Sequence, residues 1–309
     1  MINDPAQAAQ VLRTLALDER LKLSIPADPV LGPLARKVAR RYVAGEDLLD
    51  AVPRITDIIG RGHRANAEYL GESCRDAARA EHETDVFVAM ADKLPAGCSI
   101  SLDLSHVGLA VSAELALANG TRIAEATAAT GREMIISAEG SGRTDAILAV
   151  HRDLSERFGH VGVTVQARLH RSPTDLAGLL RLPGRIRLVK GAFLEPETIA
   201  YARDDAALAT AYLQLAGSLA ESGHLCSFAT HDWDLIHRLE ALLGEPAPDA
   251  PWEFETLLGL GPDRLAALAG HGHPTREYVV FGTEWWLYVC NRLAEDPARL
   301  FQALTDAAA

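Results

Sequence analysis

From Arg64 onward the chain repeats one unit: a short strand-like run, a glycine or polar turn, then a longer segment with helical spacing. The strand-like runs are 64–71, 99–105, 133–140, 161–167, 186–192, 224–232, 251–259 and 276–282. Ala/Leu-rich helical segments separate them, among them 112–130, 143–158, 196–222 and 232–244, and "TEWWLYVCNRLAED" (283–296) follows the last run. Alternation of this kind demands crossover connections and hence a parallel sheet. Eight such units with little left over predict an α/β fold of (βα)8 TIM type rather than an open doubly wound sheet. No strand-turn-helix GxGxxG and no GxxxxGKS/T interrupts the pattern, and the glycines follow strands singly, as short βα loops require.

The first 62 residues have a different rhythm. Segments 4–17, 28–43 and 46–62 each show helical apolar spacing, and Asp4-Pro5 and Asp28-Pro29 resemble an N-cap followed by proline at the first helical position. The expected organisation is an N-terminal helical segment, 1–62, packed on a barrel formed by 63–309.

A barrel gives each strand an apolar face toward the helices and a second face toward the barrel axis. In "CSISLDLSHVG" (98–108), Ile100, Leu102 and Leu104 then meet the helical ring, while Ser101, Asp103 and Ser105 point inward. Asp103 falls near the C-terminal mouth, where barrel enzymes place their chemistry. A carboxylate there is costly to desolvate unless paired or wet, which makes it a site residue rather than an accident.

Hydrophobic content of 48% is ample for a core, and a net charge of −12 with no basic run argues against a nucleic-acid surface. Cys74, Cys98, Cys226 and Cys290 are scattered without CxxC spacing and read as reduced thiols. "MINDPAQAAQ" lacks the pattern of a signal peptide, and no apolar run is long enough to span a membrane. The expected location is the cytoplasm, free or peripheral at the inner face of the membrane. The histidines show no HExxH or similar pair, so no metal is expected, and outside "FATHD" they read as solvent-facing or structural.

Several strand ends carry polar groups. "IRLVKGAF" offers Arg187, Lys190 and the small-residue turn Gly191-Ala192: either a solvated basic strand end, or a cationic patch where backbone amides approach a phosphate or a flat cofactor. "FATHD" brings Thr230, His231 and Asp232, which can hold a ligand or cap the next helix. Gln166 ends the fourth run on the same rim. On the final helix Tyr288, Asn291 or Arg292, and Glu295 share one face. They reach the mouth only if that helix leans over it; otherwise Arg292–Glu295 is a surface pair of small worth.

Taken together, "EYLGES" (68–73), "ISLDLSHVGLAVS" (100–112), "IRLVKGAF" (186–193), "FATHD" (228–232), "WEFETLLG" (252–259) and "YVVFGTEWWLYVCNRLAE" (278–295) resemble the proline dehydrogenases, FAD-dependent (βα)8 barrels that oxidise proline to pyrroline-5-carboxylate. The resemblance implies FAD contacts from Gln166, Arg187, Val189, Lys190, Gly191, Ala192, Thr230 and His231, with Arg187 near the flavin N5. It implies that Leu257 and Tyr278 pack round the substrate ring. The substrate half departs from the family. Asp103 stands where the family has Lys, and Ser137 replaces that lysine's Asp partner. Phe193 replaces Tyr, Glu255 replaces Gln, and the Arg-Arg carboxylate clamp reads Asn291-Arg292. Tyr288 and Glu295 remain.

The family's positive pocket thus becomes neutral or negative, and losing one arm of a bidentate clamp beside a new carboxylate is expected to cost roughly 3–5 kcal/mol of affinity for a free amino acid. The leading expectation is a working flavoenzyme acting on a CH–NH group of an amine or amino-acid-like substrate other than free L-proline. Arg187, Asp103 and Ser137 are its reacting-centre residues, and Phe193, Glu255, Leu257, Tyr278, Tyr288, Asn291 and Arg292 surround the substrate. The alternatives are an ordinary proline dehydrogenase or a non-catalytic flavin- or metabolite-binding relative. The electron acceptor is left open between quinone, oxygen and a soluble carrier.

Overall fold

A computed structural model describes residues 5–71, 73–203, 205–246 and 249–308; Asp4, expected to cap the first helix, and Glu72 of "EYLGES" lie outside them. Eight parallel strands close into a barrel in chain order: β1 (Arg64–Tyr69), β2 (Cys98–Leu102), β3 (Met134–Ile136), β4 (Val161–Gln166), β5 (Ile186–Val189), β6 (Cys226–Ala229), β7 (Trp252–Leu257) and β8 (Thr275–Phe281). The ring shuts where β1 pairs with β8, from Arg64↔Arg276 to Tyr69↔Phe281.

The helices are α1 (Pro5–Ala16), α2 (Glu19–Ala27), α3 (Leu31–Ala39), α4 (Leu48–Gly60), α5 (Ala77–Lys93), α6 (Ala113–Ala129), α7 (Thr144–Arg157), α8 (Ser172–Leu179), α9 (Ala206–Ser222), α10 (Trp233–Leu243), α11 (Pro262–Gly270), α12 (Trp285–Glu295) and α13 (Arg299–Ala308). Helix α2 lies between the expected helical segments; Asp18 caps it by accepting from the Arg20 and Leu21 amides. Two local expectations need correction. Proline 29 is not at the first helical position: α3 begins at Leu31, and Asp28 instead accepts from the Val30 and Leu31 amides. The helix expected over 196–222 starts only at Ala206, where Asp205 caps it.

Strand parity follows the barrel rule. Ile100, Leu102 and Leu104 are fully buried in the main core beside helix-facing residues such as Ile136, Leu188 and Phe254, where each buried side chain is worth about 1.5–3 kcal/mol. The inward faces are polar and stack in two layers. The lower layer joins Arg276 to Glu253 at 2.6 Å, Arg185 to Glu133 at 2.9 Å, and Ser227 to Glu253 at 2.6 Å. The upper layer holds Glu68, Ser137, Arg187, Glu255 and Tyr278 and forms the floor of the mouth.

A second apolar cluster sits above this floor. It joins Leu12 of α1 and Tyr42 to Leu260, Val280 and the α12 residues Trp285, Val289 and Leu293. The Trp286 indole donates to the Leu15 carbonyl at 3.0 Å, so α1 holds α12 from outside. Across α3 and α13, Arg41 makes a two-pronged contact with Asp306 at 2.6 and 2.7 Å.

Candidate active site

Arg187 is the cation at the centre of the mouth. It points inward from β5, donates through Nε to Glu255 Oε1 at 2.5 Å, and lays its guanidinium 4.3 Å from the Tyr278 ring centre. Burial alone would depress its pKa; Glu255, Tyr278 and Glu68 outweigh that and hold it above the ordinary value. Glu255 is 2% exposed. Burial raises its carboxyl, while Arg187 and Arg276 pull the other way.

The Tyr278 hydroxyl donates to Glu68 Oε2, and the Ser137 hydroxyl lies 3.5 Å from Glu68 Oε1. Glu68 is therefore part of the site, and sequence reasoning passed over it. The signal is the same alternation: Asn66 and Glu68 on β1 follow the inward rule that applies to Ser101 and Asp103. Burial raises the Glu68 carboxyl, against Tyr278 and Arg187.

Asp103 follows the last residue of β2 at the rim. Among the described residues its carboxylate has no hydrogen-bond donor or ion-pair partner; Arg143, the one cation that eases it, is committed to Glu139 at 2.5 Å. Burial, then the charges of Glu68 and Glu139, push its pKa well above the ordinary carboxylate value. Ser137 bonds to Glu68 rather than to Asp103, so these two positions do not form a pair.

The β4 and β5 ends make a cradle. Gln166 donates from Nε2 to the Glu139 carbonyl at 2.9 Å, while its Oε1 is buried with no donor among the described residues. Gly191 has φ +106°, and a Cβ there would stand 2.8 Å from the Arg168 side chain and 3.0 Å from Gln166 Oε1. Val189 accepts from the Ala167 amide at 2.8 Å, and the Ala192 carbonyl accepts from Arg203. Lys190 pairs with Asp232, which also caps α10 through the Leu235 amide at 3.1 Å. Thr230 Oγ1 accepts from the Asp232 amide at 3.2 Å.

Helix α12 does lean over the mouth. His231 Nε2 lies 3.7 Å from Glu295, which Arg292 meets at 2.6 Å. Arg292 is 8% exposed, so the surface-pair alternative is wrong: among the described residues, its Nε and the Tyr288 hydroxyl are both buried without partners. Arg292 stands 5.1 Å over the Tyr288 ring. Burial, with Arg292 and other cations nearby, lowers His231 to about 4, and burial raises Tyr288 to about 12. Leu257 and Tyr288 border the second apolar cluster and Asn291 is half-buried. Phe193 is 39% exposed. The four cysteines are free and buried.

Residues 51–299 match the family described as Proline dehydrogenase. Among curated relatives, Proline dehydrogenase 1 of Bacillus subtilis is 31% identical over 264 residues, covering 84% of this chain and 87% of its own. Proline dehydrogenase of Deinococcus radiodurans is 32% identical over 288 residues, covering 89% and 93%. Among solved structures, proline utilization A from Bdellovibrio bacteriovorus superposes with a TM-score of 0.77 at 16% identity over 94% of this chain. That from Bradyrhizobium japonicum gives 0.72 at 20% identity over 89%. This chain spans 36% and 33% of those two longer proteins, and the likeness to them is one of fold.

Proposed function

The chain belongs to the proline dehydrogenase family, and on that premise we propose that it uses FAD to oxidise a C–N bond in an amine substrate other than free L-proline. The observation that carries the reading is Asp103, an unpaired carboxylate at the mouth beside a second one, Glu68.

The β4–β5 cradle fits a flat cofactor. The orphaned Gln166 Oε1 can accept a ring N–H, and Gly191, whose φ of +106° and close approach to Arg168 and Gln166 exclude a side chain, presents bare backbone at the end of β5. Gln166, Arg187, Val189, Lys190, Gly191, Ala192, Thr230 and His231 would hold FAD there. FAD supplies the hydride acceptor. The chain's own task is to bind the amine, orient its Cα–H and remove the proton that leaves nitrogen as the C=N bond forms.

Asp103 and Glu68 are placed to hold an ammonium group and to take that proton. Once ionised, they oppose a substrate carboxylate: like charges about 4 Å apart repel by about 4 kcal/mol at an effective dielectric of 20. A single arginine, Arg292, is left on α12 to answer it. One observation favours ordinary proline oxidation instead: Arg292 and Glu295 stay joined at 2.6 Å, next to the buried Tyr288 hydroxyl.

An anaerobic flavin-reduction screen separates the two. The expected result is bleaching by cyclic or secondary amines that lack a carboxylate and little response to L-proline. Asp103→Lys combined with Asn291→Arg should raise proline reactivity at least tenfold. Fast reduction of the wild type by proline, unchanged in the double variant, would sink the proposal.

A further inference from the structure

Glu255 has no ligand to itself. Its carboxylate is shut inside the barrel, 2% exposed, and its contact within the upper layer is Arg187. The pair is rigid: the guanidinium is stacked on Tyr278, whose hydroxyl is tied to Glu68. Arg276, the next arginine below, is already engaged by Glu253 and Glu133. A buried guanidinium in a site of low polarizability projects its charge strongly on a neighbour, and a carboxylate 2.5 Å away from it largely cancels that field.

We propose that Glu255 sets the electron affinity of the bound flavin by cancelling the charge of Arg187, an inference that rests on the flavin reading of this site. Arg187 points inward from β5 two residues before Val189, so a cofactor laid along the Gln166–Gly191 cradle has this cation at the end that reaches the barrel axis. With Glu255 in place, that cation is half of a neutral pair. The oxidised flavin is then less eager for electrons, the reduced flavin is more readily reoxidised, and the site suits an amine that gives up hydride easily. Glu255 acts through its contact with Arg187, as a positioning residue.

Glu255→Gln tests this with almost no change of shape, because a glutamine oxygen can still accept from Arg187 Nε. The FAD-loaded protein is titrated with sulfite, which adds to electron-poor flavins and bleaches them, and its midpoint potential is measured by dye equilibration. Sulfite should bind Glu255→Gln at least tenfold more tightly than wild type. The two-electron equilibrium should shift tenfold toward reduced flavin, about 30 mV. Equal sulfite affinity and potential in the two FAD-loaded proteins would overturn the inference and leave the flavin reading standing. A wild type that takes up no FAD overturns both.

If Glu255→Gln does not fold, the double variant Arg187→Met/Glu255→Gln, which removes both charges of the pair, decides. Equal sulfite binding by that variant and the wild type supports cancellation, whereas at least tenfold tighter binding by the wild type shows that the Arg187 charge reaches the flavin unopposed.

Discussion

Asp103 carries the largest consequences of any single residue. In the folded chain its carboxyl binds its proton more tightly than in the unfolded chain, because burial and the charges of Glu68 and Glu139 disfavour ionisation. The folded state therefore holds more protons once pH exceeds the ordinary aspartate value of 3.8, and stability falls as pH rises through the interval above it. Asp103→Asn should relieve that penalty. Its melting temperature is expected to exceed that of the wild type by about 2 °C or more at pH 8, with the gain shrinking toward pH 4. Calorimetry at several pH values checks it; a variant less stable than wild type at pH 8 contradicts the account. Asp103 was legible because one period-two strand told inside from outside. Glu68 is legible as an inward residue by the same rule, but nothing in "NAEYLGES" says that Tyr278, some 210 positions later, reaches it.

Strands carry a second lesson, in the lower polar layer. Arg276, Glu253, Arg185, Glu133 and Ser227 stitch β3, β5, β6, β7 and β8 together at the closed end of the barrel. Burial alone would raise Glu253; Arg276 and Arg185 outweigh it and bring the carboxyl down to about 2. Its contribution is then fully present above the unfolded value of 4.5 and lost as pH falls toward 2. Glu253→Gln should cost about 3–5 kcal/mol at neutral pH, the usual penalty for orphaning a buried partner. Its deficit against wild type should narrow on acidification below 4.5, measured by urea unfolding. A neutral-pH loss under about 1 kcal/mol would mean the layer is not cooperative. The strands were found by their alternation, but their polar inward residues gave no sign of which acid meets which base.

For the molecule as a whole, FAD and fold are linked. A ligand that binds only the native barrel stabilises it by about 2.7 kcal/mol at a hundredfold excess over its dissociation constant. Added FAD should therefore raise the melting temperature in proportion to the logarithm of its concentration, and riboflavin, lacking the phosphates, should do less. No shift with FAD would speak against the cofactor reading. Among the described residues no helix is long and apolar enough to cross a membrane.

What the sequence determined alone is whatever is written in local periodicity: eight strands, their helices, the parity that turned Asp103 inward, and motifs strong enough to mark the family. Only the tertiary structure decided which side chains meet. It joined Glu68 to Tyr278, gave Arg187 to Glu255, left Asp103 without a partner among the described residues, and buried Arg292 on α12. The reason is physical: periodicity is a property of neighbours along the chain, whereas charge pairing inside a barrel depends on strand register and helix tilt fixed by packing across hundreds of residues.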